Sequence, residues 1–319
     1  MKMAGFNIVS SVTTSLPFQR IPSRAGLGLW LFITVNGIPK SEVKPLEEPV
    51  VLSRVGKVSK TGTASSEDDW VAAEAPLEIR ISGKSATVLM RTPGQDEELV
   101  RGFFYSEGII SSADDIVSIS PLESALDGGT GGVIAVELAK SRRAYGKAIT
   151  GDRSFYSNAS CGVCGKKSIA SLEVKGTQAD VRFKVRRSVL GMLPDRLRDA
   201  QATFAKTGGV HASGLFTVDG DLVELREDVG RHNALDKLIG WALSNGRIPL
   251  RDYILLVSGR VSYEIVQKAV AASIPFIAAV GAPSSLAVDL SQRFRLTLVG
   301  FLRPDSMNVY THEERIIPS

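Results

Sequence analysis

The chain has 319 residues, 44% of them apolar and 23% charged, which is an ordinary balance for a soluble globular protein. This length suits two domains and supplies enough apolar surface for a core that needs no disulfide or metal to hold it together. The net charge of +4 suits anionic ligands such as phosphates but is too small to indicate a nucleic-acid partner.

Residues 1–70 show little hydrophobic periodicity and are predicted to form a poorly ordered N-terminal extension, with a linker over 61–69. The apolar run over 27–35 is far shorter than the roughly 20 residues that span a bilayer. The residues Val35-Asn36-Gly37-Ile38 offer no cleavage site of small residues for a signal peptide. We therefore expect a cytoplasmic protein with no membrane partner.

A small α+β domain is predicted over 71–150. Apolar and polar residues alternate over 77–81, which is the period of a half-buried strand, and a second strand is predicted over 87–91. A helix is predicted over 96–105, because acidic residues stand in its first turn and its apolar residues recur on one side. A further strand is predicted over 133–138.

Residues 151–319 alternate between strand and helix patterns and are predicted to form a layered α/β domain. Two strand signals flank Asp219-Gly220-Asp221, which is typical of a hairpin turn. Apolar residues from Leu235 to Leu243 then recur at helical spacing. The later strands are predicted over 254–257, 275–280, 296–302 and 307–310, with helices that begin after Ser262 and after Ser284 or Ser285.

The two cysteines of the chain form a C-x-x-C motif, Ser160-Cys161-Gly162-Val163-Cys164-Gly165-Lys166-Lys167. Glycines around both thiols keep the backbone open, and a helix that begins near Gly165 would place its positive N-terminal dipole beside them. With the two lysines, this dipole favours the thiolate, which is the nucleophilic form. A thiolate that attacks a donor persulfide can carry sulfane sulfur as its own persulfide.

The spacing of the thiols alone leaves several interpretations open: half of a structural zinc site, a redox dithiol, a sulfur carrier or an inert loop. Structural zinc needs four ligands, and the sequence has no second C-x-x-C; its histidines are His211, His232 and His312. A thioredoxin-like oxidoreductase would carry the motif after an early strand of its domain, which is not the pattern here. We therefore expect no metal of the protein's own.

Two polar segments lie near predicted strand ends, Thr207-Gly208-Gly209-Val210-His211-Ala212-Ser213-Gly214 and Arg226-Glu227-Asp228-Val229-Gly230-Arg231-His232-Asn233-Ala234-Leu235-Asp236-Lys237. The second packs acids, bases and an imidazole into a strand-to-helix junction. This density favours a site that positions a ligand or tunes a thiol, while a capped helix with a solvated charged face is the alternative. The candidate supporting residues are His211, Asp228, Arg231 and His232.

Two loops of small residues follow predicted buried strands, Ser258-Gly259-Arg260-Val261-Ser262 and Gly281-Ala282-Pro283-Ser284-Ser285. Small residues at a helix N-terminus expose backbone amides to an anion, and Arg260 adds guanidinium donors. Such loops lie at the carboxyl ends of strands, where α/β sheets bind ligands. Ser258, Gly259 and Arg260 are therefore candidate binding residues, although ordinary helix caps use the same residue types.

Together, in their order along the chain, these motifs resemble the FdhD/NarQ family of formate dehydrogenase accessory sulfurtransferases, over about residues 75–315. No single motif is specific, but the ordered set is. The segments that carry the resemblance are Pro76-Leu77-Glu78-Ile79, Met90-Arg91-Thr92-Pro93-Gly94, Phe103, Ser106-Glu107-Gly108-Ile109-Ile110, the C-x-x-C motif, the two polar segments, Ser258-Gly259-Arg260 and Tyr310-Thr311-His312.

The resemblance implies a cytidine-deaminase-like fold for 151–319 and a homodimer. It implies that sulfur passes from a cysteine desulfurase to the molybdenum bis(molybdopterin guanine dinucleotide) cofactor, which is the substrate, and activates apo formate dehydrogenase or a related molybdoenzyme. It assigns the persulfide to Cys161, with Cys164 assisting. The cofactor-binding segment it implies is Phe301, Leu302, Arg303, Pro304, Asp305 and Ser306, of which Asp305 and Ser306 depart from the family pattern.

Two other functions compete with sulfur transfer. A zinc nucleobase deaminase shares the implied fold, but its chemistry uses H-x-E followed by P-C-x-x-C. Here Ser213 stands where that glutamate is required, and the C-x-x-C precedes His211, so deamination is not expected. A chaperone that only binds the cofactor or the apo-enzyme, without transferring sulfur, stays open.

Overall fold

The computed structural model describes residues 48–62, 64–122, 131–142, 178–179 and 182–318. The helices are α1 (Asp96–Ser106), α2 (Arg187–Ala200), α3 (Ala202–Thr207), α4 (Arg231–Ser244), α5 (Tyr263–Ala271) and α6 (Ser285–Arg293). The strands are β1 (Val50–Val58), β2 (Ala64–Ala72), β3 (Ala75–Ile81), β4 (Lys84–Arg91), β5 (Ile116–Leu122), β6 (Gly132–Leu138), β7 (Val185–Arg186), β8 (His211–Phe216), β9 (Leu222–Asp228), β10 (Ile254–Val257), β11 (Phe276–Ala279), β12 (Thr297–Gly300), β13 (Asn308–Thr311) and β14 (Ile316–Ile317). Within these described ranges, no helix is both long and apolar enough to cross a bilayer.

Strands β1 and β2 pair as an antiparallel hairpin. Arg54 stands opposite Asp68 in the register, and the two side chains form an exposed ion pair of 3.3 Å. Opposite charges that face each other across two strands stabilise their pairing. The small and polar residues of this segment are also typical of turns, so composition alone does not predict the strand. Residues 64–69, predicted as a linker, are therefore part of a strand, and residues 1–47 of the predicted extension lie outside the described residues.

A four-stranded mixed sheet has the order β4-β3-β6-β5. The residues of β3 are alternately buried and half-buried, which confirms the half-buried strand predicted there. Ser82 and Gly83 connect β3 to β4 with φ angles of 51° and 79°, the positive values that a tight hairpin turn requires. Helix α1 covers the sheet with Leu99, Val100 and Phe104.

A six-stranded sheet has the order β13-β12-β11-β10-β8-β9, with β10, β11 and β12 parallel. Helices α4, α5 and α6 bury one face of this sheet, and α2 buries the other. Neighbouring residues of β10 divide between the two cores: Leu255 and Val257 belong to one, Ile254 and Leu256 to the other. Because both faces are covered, the central strands are apolar throughout, as the sequence predicts.

The structure confirms the predicted mixed α/β class. The cytidine-deaminase-like layering and the division into 71–150 and 151–319 stay predictions. Helices α2 and α3 were not predicted; Pro194 lies inside α2, and a proline within an apolar-periodic segment argues against a helix.

Helices α1 and α4 cross in direct backbone contact. A Cβ atom added at Gly102 would overlap the carbonyl of Asp236, and one added at Gly240 would overlap the carbonyl of Glu98. Only glycine leaves room for an approach this close. The crossing joins the helix of the four-stranded sheet to a helix of the six-stranded sheet, on either side of the boundary predicted at residue 150.

Gly240→Ala tests this contact. The added methyl group forces the two helices apart, and overpacking of this kind costs about 1–3 kcal/mol or more, which exceeds the gain of about 1 kcal/mol from the helix propensity of alanine. We expect the free energy of unfolding, measured by urea denaturation, to fall by about 2 kcal/mol. Gly56→Ala is the control, because its added Cβ meets nothing within 4 Å. Equal stability of the two variants would contradict the packing.

Candidate functional site

The parallel strands β10, β11 and β12 end side by side at one edge of the six-stranded sheet. In the loops that follow β10 and β11, the amide of Val261 donates to the carbonyl of Ala282 at 3.0 Å, and the amide of Ser284 donates to the carbonyl of Val261 at 2.9 Å. The amide of Phe301 donates to the carbonyl of Gly281 at 3.1 Å. The three loops therefore form one continuous rim, where α/β sheets commonly bind ligands.

Two glycines allow the loops of this rim to approach one another. A Cβ added at Gly281 would lie 2.6 Å from the carbonyl oxygen of Gly259 and 2.9 Å from the amide nitrogen of Arg260. A Cβ added at Gly259 would lie 3.1 Å from Nδ1 of His211. The predicted residues Gly259 and Arg260 are thus brought beside the predicted residue His211, from β8.

The segment after β12 is fixed to the rim by its backbone. The amide of Leu302 donates to the carbonyl of Ala279 at 2.9 Å, and Nη1 of Arg303 donates to the carbonyl of Val280 at 3.0 Å. Phe301 has a φ of 52° and is 44% exposed, an uncommon conformation for a bulky residue. Backbone strain of this kind concentrates at functional sites.

A cavity of about 750 Å³ opens at the rim, between α2 and α3 on one side and the segment after β12 on the other. This volume lies within the usual range for small-ligand sites. The predicted residues that line it are His211, Ser258, Leu302, Arg303 and Pro304. The other predicted binding residues are not part of its lining: Gly259, Arg260, Phe301, Asp305 and Ser306.

One wall of the cavity is formed by α2 and α3. Sequence reasoning does not find this wall, because it predicts neither helix. The wall contributes Pro194, Asp195, Leu197, Arg198, Gln201 and Phe204 to the cavity. The guanidinium of Arg198 lies 4.9 Å from the centre of the Phe204 ring, within the distance of a cation–π contact. The segment from Thr207 to His211, which the sequence did single out, adds Gly208, Gly209 and Val210.

Asp228 ends β9 and is fully buried. Its Oδ2 accepts from the amide of Thr92 at 3.0 Å and lies 2.8 Å from Nζ of Lys237. Its Oδ1 accepts from the amide of Gly230 at 2.8 Å and from Nδ2 of Asn233 at 3.0 Å. A carboxylate whose two oxygens are occupied in this way holds the start of α4 in place.

His232 is buried at the start of α4. Its Nε2 lies 3.1 Å from Oγ of Ser262 and 3.8 Å from Oε2 of Glu264. Burial lowers the pKa of His232 to about 4, and the positive charges of Arg231 and Lys268 act in the same direction, while Glu264 opposes them. The imidazole is therefore neutral near pH 7. Its hydrogen bond with Ser262 links α4 to the residue that precedes α5.

His211 begins β8 and is half-buried at the cavity. Burial lowers the pKa of its imidazole, and the nearby guanidinium groups of Arg231 and Arg260 lower it further. A neutral imidazole can donate or accept a hydrogen bond but attracts no anion by charge. The positive charges of the cavity lining are those of Arg198 and Arg303.

Cys161 and Cys164 lie outside the described residues, so their assignment as the persulfide thiol and its assistant stays a prediction. Within the described residues, no three or more His, Cys, Asp or Glu side chains are grouped so that they could hold a metal ion. The absence of a metal of the protein's own also stays a prediction, because the thiol loop lies outside those residues.

The family model described as the FdhD/NarQ family matches residues 72–317. A sulfur carrier protein FdhD from Streptomyces avermitilis is 48% identical over 260 residues, which cover 81% of this chain and 92% of the relative. The protein of that name from Mycobacterium tuberculosis is 48% identical over 255 residues, 78% of this chain and 92% of the relative. The one from Sulfurisphaera tokodaii is 45% identical over 258 residues, 80% of this chain and 94% of the relative.

Among solved structures, the chain is similar to a crystal structure of a protein assigned as a formate dehydrogenase accessory protein from Desulfotalea psychrophila. The TM-score is 0.65 at 26% sequence identity, and the match covers 84% of this chain and 99% of the other. The mixed α/β fold is therefore found in a solved structure over nearly that protein's whole length.

The lowered pKa of His232 predicts how stability changes with pH. In the unfolded chain its imidazole takes up a proton near pH 6.5, whereas in the folded chain it does so only near pH 4. Between these values the unfolded state binds more protons, so the free energy of unfolding falls as the pH falls, by about 3 kcal/mol over the window. Urea denaturation of the wild type and of His232→Gln from pH 4 to 8 measures this. A wild-type profile no steeper than that of the variant would contradict the prediction.

Proposed function

The chain belongs to the FdhD/NarQ family, and we propose from this premise that it is a sulfur carrier that serves formate dehydrogenase. The observation that carries the proposal is the close match, over most of the chain, to relatives that bear the name sulfur carrier protein. The assignment of the related solved structure as a formate dehydrogenase accessory protein supports the choice of client.

Cys161 is the proposed carrier. Its thiolate attacks the outer sulfur of a persulfide on a cysteine desulfurase. A new S–S bond forms on Cys161 as the donor's S–S bond breaks, and the donor cysteine leaves as a thiolate. The adjacent Lys166 and Lys167 support this assignment, because positive charge favours the thiolate form that attacks. Cys164 is the proposed assisting thiol.

We further propose that the substrate which receives the sulfur, the molybdenum bis(molybdopterin guanine dinucleotide) cofactor, binds at the cavity of the rim. Support comes from the convergence of His211, Ser258 and the segment from Leu302 to Pro304 on one cavity large enough for a nucleotide end. The loops after β10 and β11 border this cavity on the rim. Arg260 lies on the first of these loops, outside the cavity lining, and presents a guanidinium that suits the phosphates.

The remaining parts of the proposal concern the assembly. The protein acts in the cytoplasm as a homodimer, takes sulfur from the desulfurase and delivers it to apo formate dehydrogenase or a related molybdoenzyme. Its layering is proposed to be cytidine-deaminase-like; the parallel strands β10 to β12, covered by helices on both faces, support this.

Cys161→Ala tests the sulfur-carrier role. We expect complete loss of client activation with an unchanged free energy of unfolding, because a methyl group carries no sulfur. Mass spectrometry of the wild type after incubation with a desulfurase and cysteine should find one additional sulfur atom on Cys161. Cys164→Ala is the matched variant and should keep part of the activity.

Full client activation by Cys161→Ala would contradict the carrier role. Activation by the wild type with no sulfur ever detected on Cys161 would instead favour a chaperone that binds the cofactor without transferring sulfur.

Arg260→Ala tests the anion site. Loss of a charged hydrogen bond to a phosphate should weaken the binding of guanosine diphosphate by about 1.5–3 kcal/mol, measured by calorimetry. Adenosine diphosphate should bind the wild type less tightly, because the base supplies the selectivity. Arg251→Ala is the control, since Arg251 is exposed like Arg260 but precedes β10, whereas Arg260 follows that strand on the rim. Equal affinity for both nucleotides, unchanged in Arg260→Ala, would refute the placement of the site.

A further inference from the structure

The junction of α2 and α3 places in the cavity wall a polar side chain whose amide nitrogen has no hydrogen-bond partner among the described residues. Gln201 lines the cavity and is only 5% exposed. Its buried Nε2 makes no hydrogen bond to any of the described residues. An unpaired buried donor costs about 1–3 kcal/mol, so buried polar groups are almost always paired, and an exception calls for a physical reason.

Capping of α3 does not supply that reason. A polar residue at a helix N-cap ordinarily accepts from the amides of the first turn. Gln201 is the N-cap of α3 but makes no such bond with its side chain. Glu227 of β9 takes this role, because its Oε2 accepts from the amide of Thr203 at 2.8 Å and its Oε1 from the amide of Phe204 at 2.9 Å. The side-chain oxygen of Gln201 is therefore not used as a cap, and its Nε2 stays without a hydrogen bond to the described residues.

Gln201 is flanked by two side chains that offer flat surfaces. Arg198, from α2, and Phe204, from α3, both line the cavity, and the guanidinium of Arg198 lies 4.9 Å from the centre of the Phe204 ring. Aromatic rings and guanidinium planes are the surfaces on which heterocyclic bases stack in proteins. The wall thus combines a stacking surface with a buried hydrogen-bond donor.

We infer that this wall binds the heterocyclic base of the nucleotide end, with the base against Arg198 and Phe204 and a ring carbonyl or ring nitrogen accepting from Nε2 of Gln201. The inference rests on the proposed function, which assigns the phosphates to the loops after β10 and β11. The inference also specifies how the nucleotide is oriented. The base lies on the α2–α3 side of the cavity, across from Leu302 and Arg303.

Gln201→Leu is the test, because leucine has a similar size and no donor. Without ligand, the melting temperature should stay the same or rise, since a buried unpaired amide has been removed. The affinity for guanosine diphosphate, measured by calorimetry, should fall at least about tenfold. Gln292→Leu, at an exposed position of α6 outside the cavity, is the matched control and should change neither quantity.

The double variant Gln201→Leu/Arg260→Ala tests the orientation. If the two residues contact opposite ends of the nucleotide, their fold-losses in affinity should multiply. A double variant no weaker than the worse single variant would overturn the orientation.

Other outcomes separate this inference from the proposed function. Wild-type binding of guanosine diphosphate with equal binding by Gln201→Leu would overturn the inference and leave the proposed anion site standing. A lower melting temperature of unliganded Gln201→Leu would also overturn it, because the amide would then be paired within the protein. If the wild type binds no guanosine diphosphate, the proposed nucleotide site falls and the inference falls with it.

Discussion

The buried ion pair between Asp228 and Lys237 is the interaction on which the geometry of the site depends. The Nζ atom of Lys237 lies 2.8 Å from Oδ2 of Asp228, and both side chains are fully buried. The same Nζ donates to the carbonyl of Thr92 at 2.8 Å. Charges removed from water persist only when they are paired, and deleting one partner costs about 3–5 kcal/mol. Because Thr92 follows β4, this pair ties the four-stranded sheet to β9 and α4.

A second buried ion pair secures the same helix. The Nζ atom of Lys268, in α5, lies 2.8 Å from Oδ2 of Asp236, in α4, and 2.9 Å from Oγ of Ser106, in α1. With the contact between Gly102 and Gly240, α4 is held by polar bonds and by backbone packing along its length. Helix α4 is consequently anchored to α1, to α5 and to the end of β9.

The anchoring of α4 and β9 also affects the cavity, through the pairing of β8 with β9. His211 stands opposite Asp228 in the register of β8 and β9, so the anchored aspartate sets the position of the imidazole at the cavity. Burial keeps the pKa values of His211 and His232 low, which leaves the arginines to supply positive charge. The cavity lining thus combines the neutral imidazole of His211 with the guanidinium groups of Arg198 and Arg303, which can attract an anionic ligand.

The sequence by itself determined the family, the mixed α/β class and the strands whose burial follows a local period, such as β3 and β10. The family follows from the order of several motifs along the chain, whereas periodicity among neighbouring residues is sufficient to specify such strands. Only the tertiary structure decided that Asp228 is an anchor and that Nε2 of Gln201, in a cavity wall, has no partner among the described residues. The role of a polar side chain depends on which distant segments surround it: Thr92 reaches Asp228, and Glu227 caps α3 in place of Gln201. No periodicity along the chain encodes such contacts, because they arise when separate elements pack together.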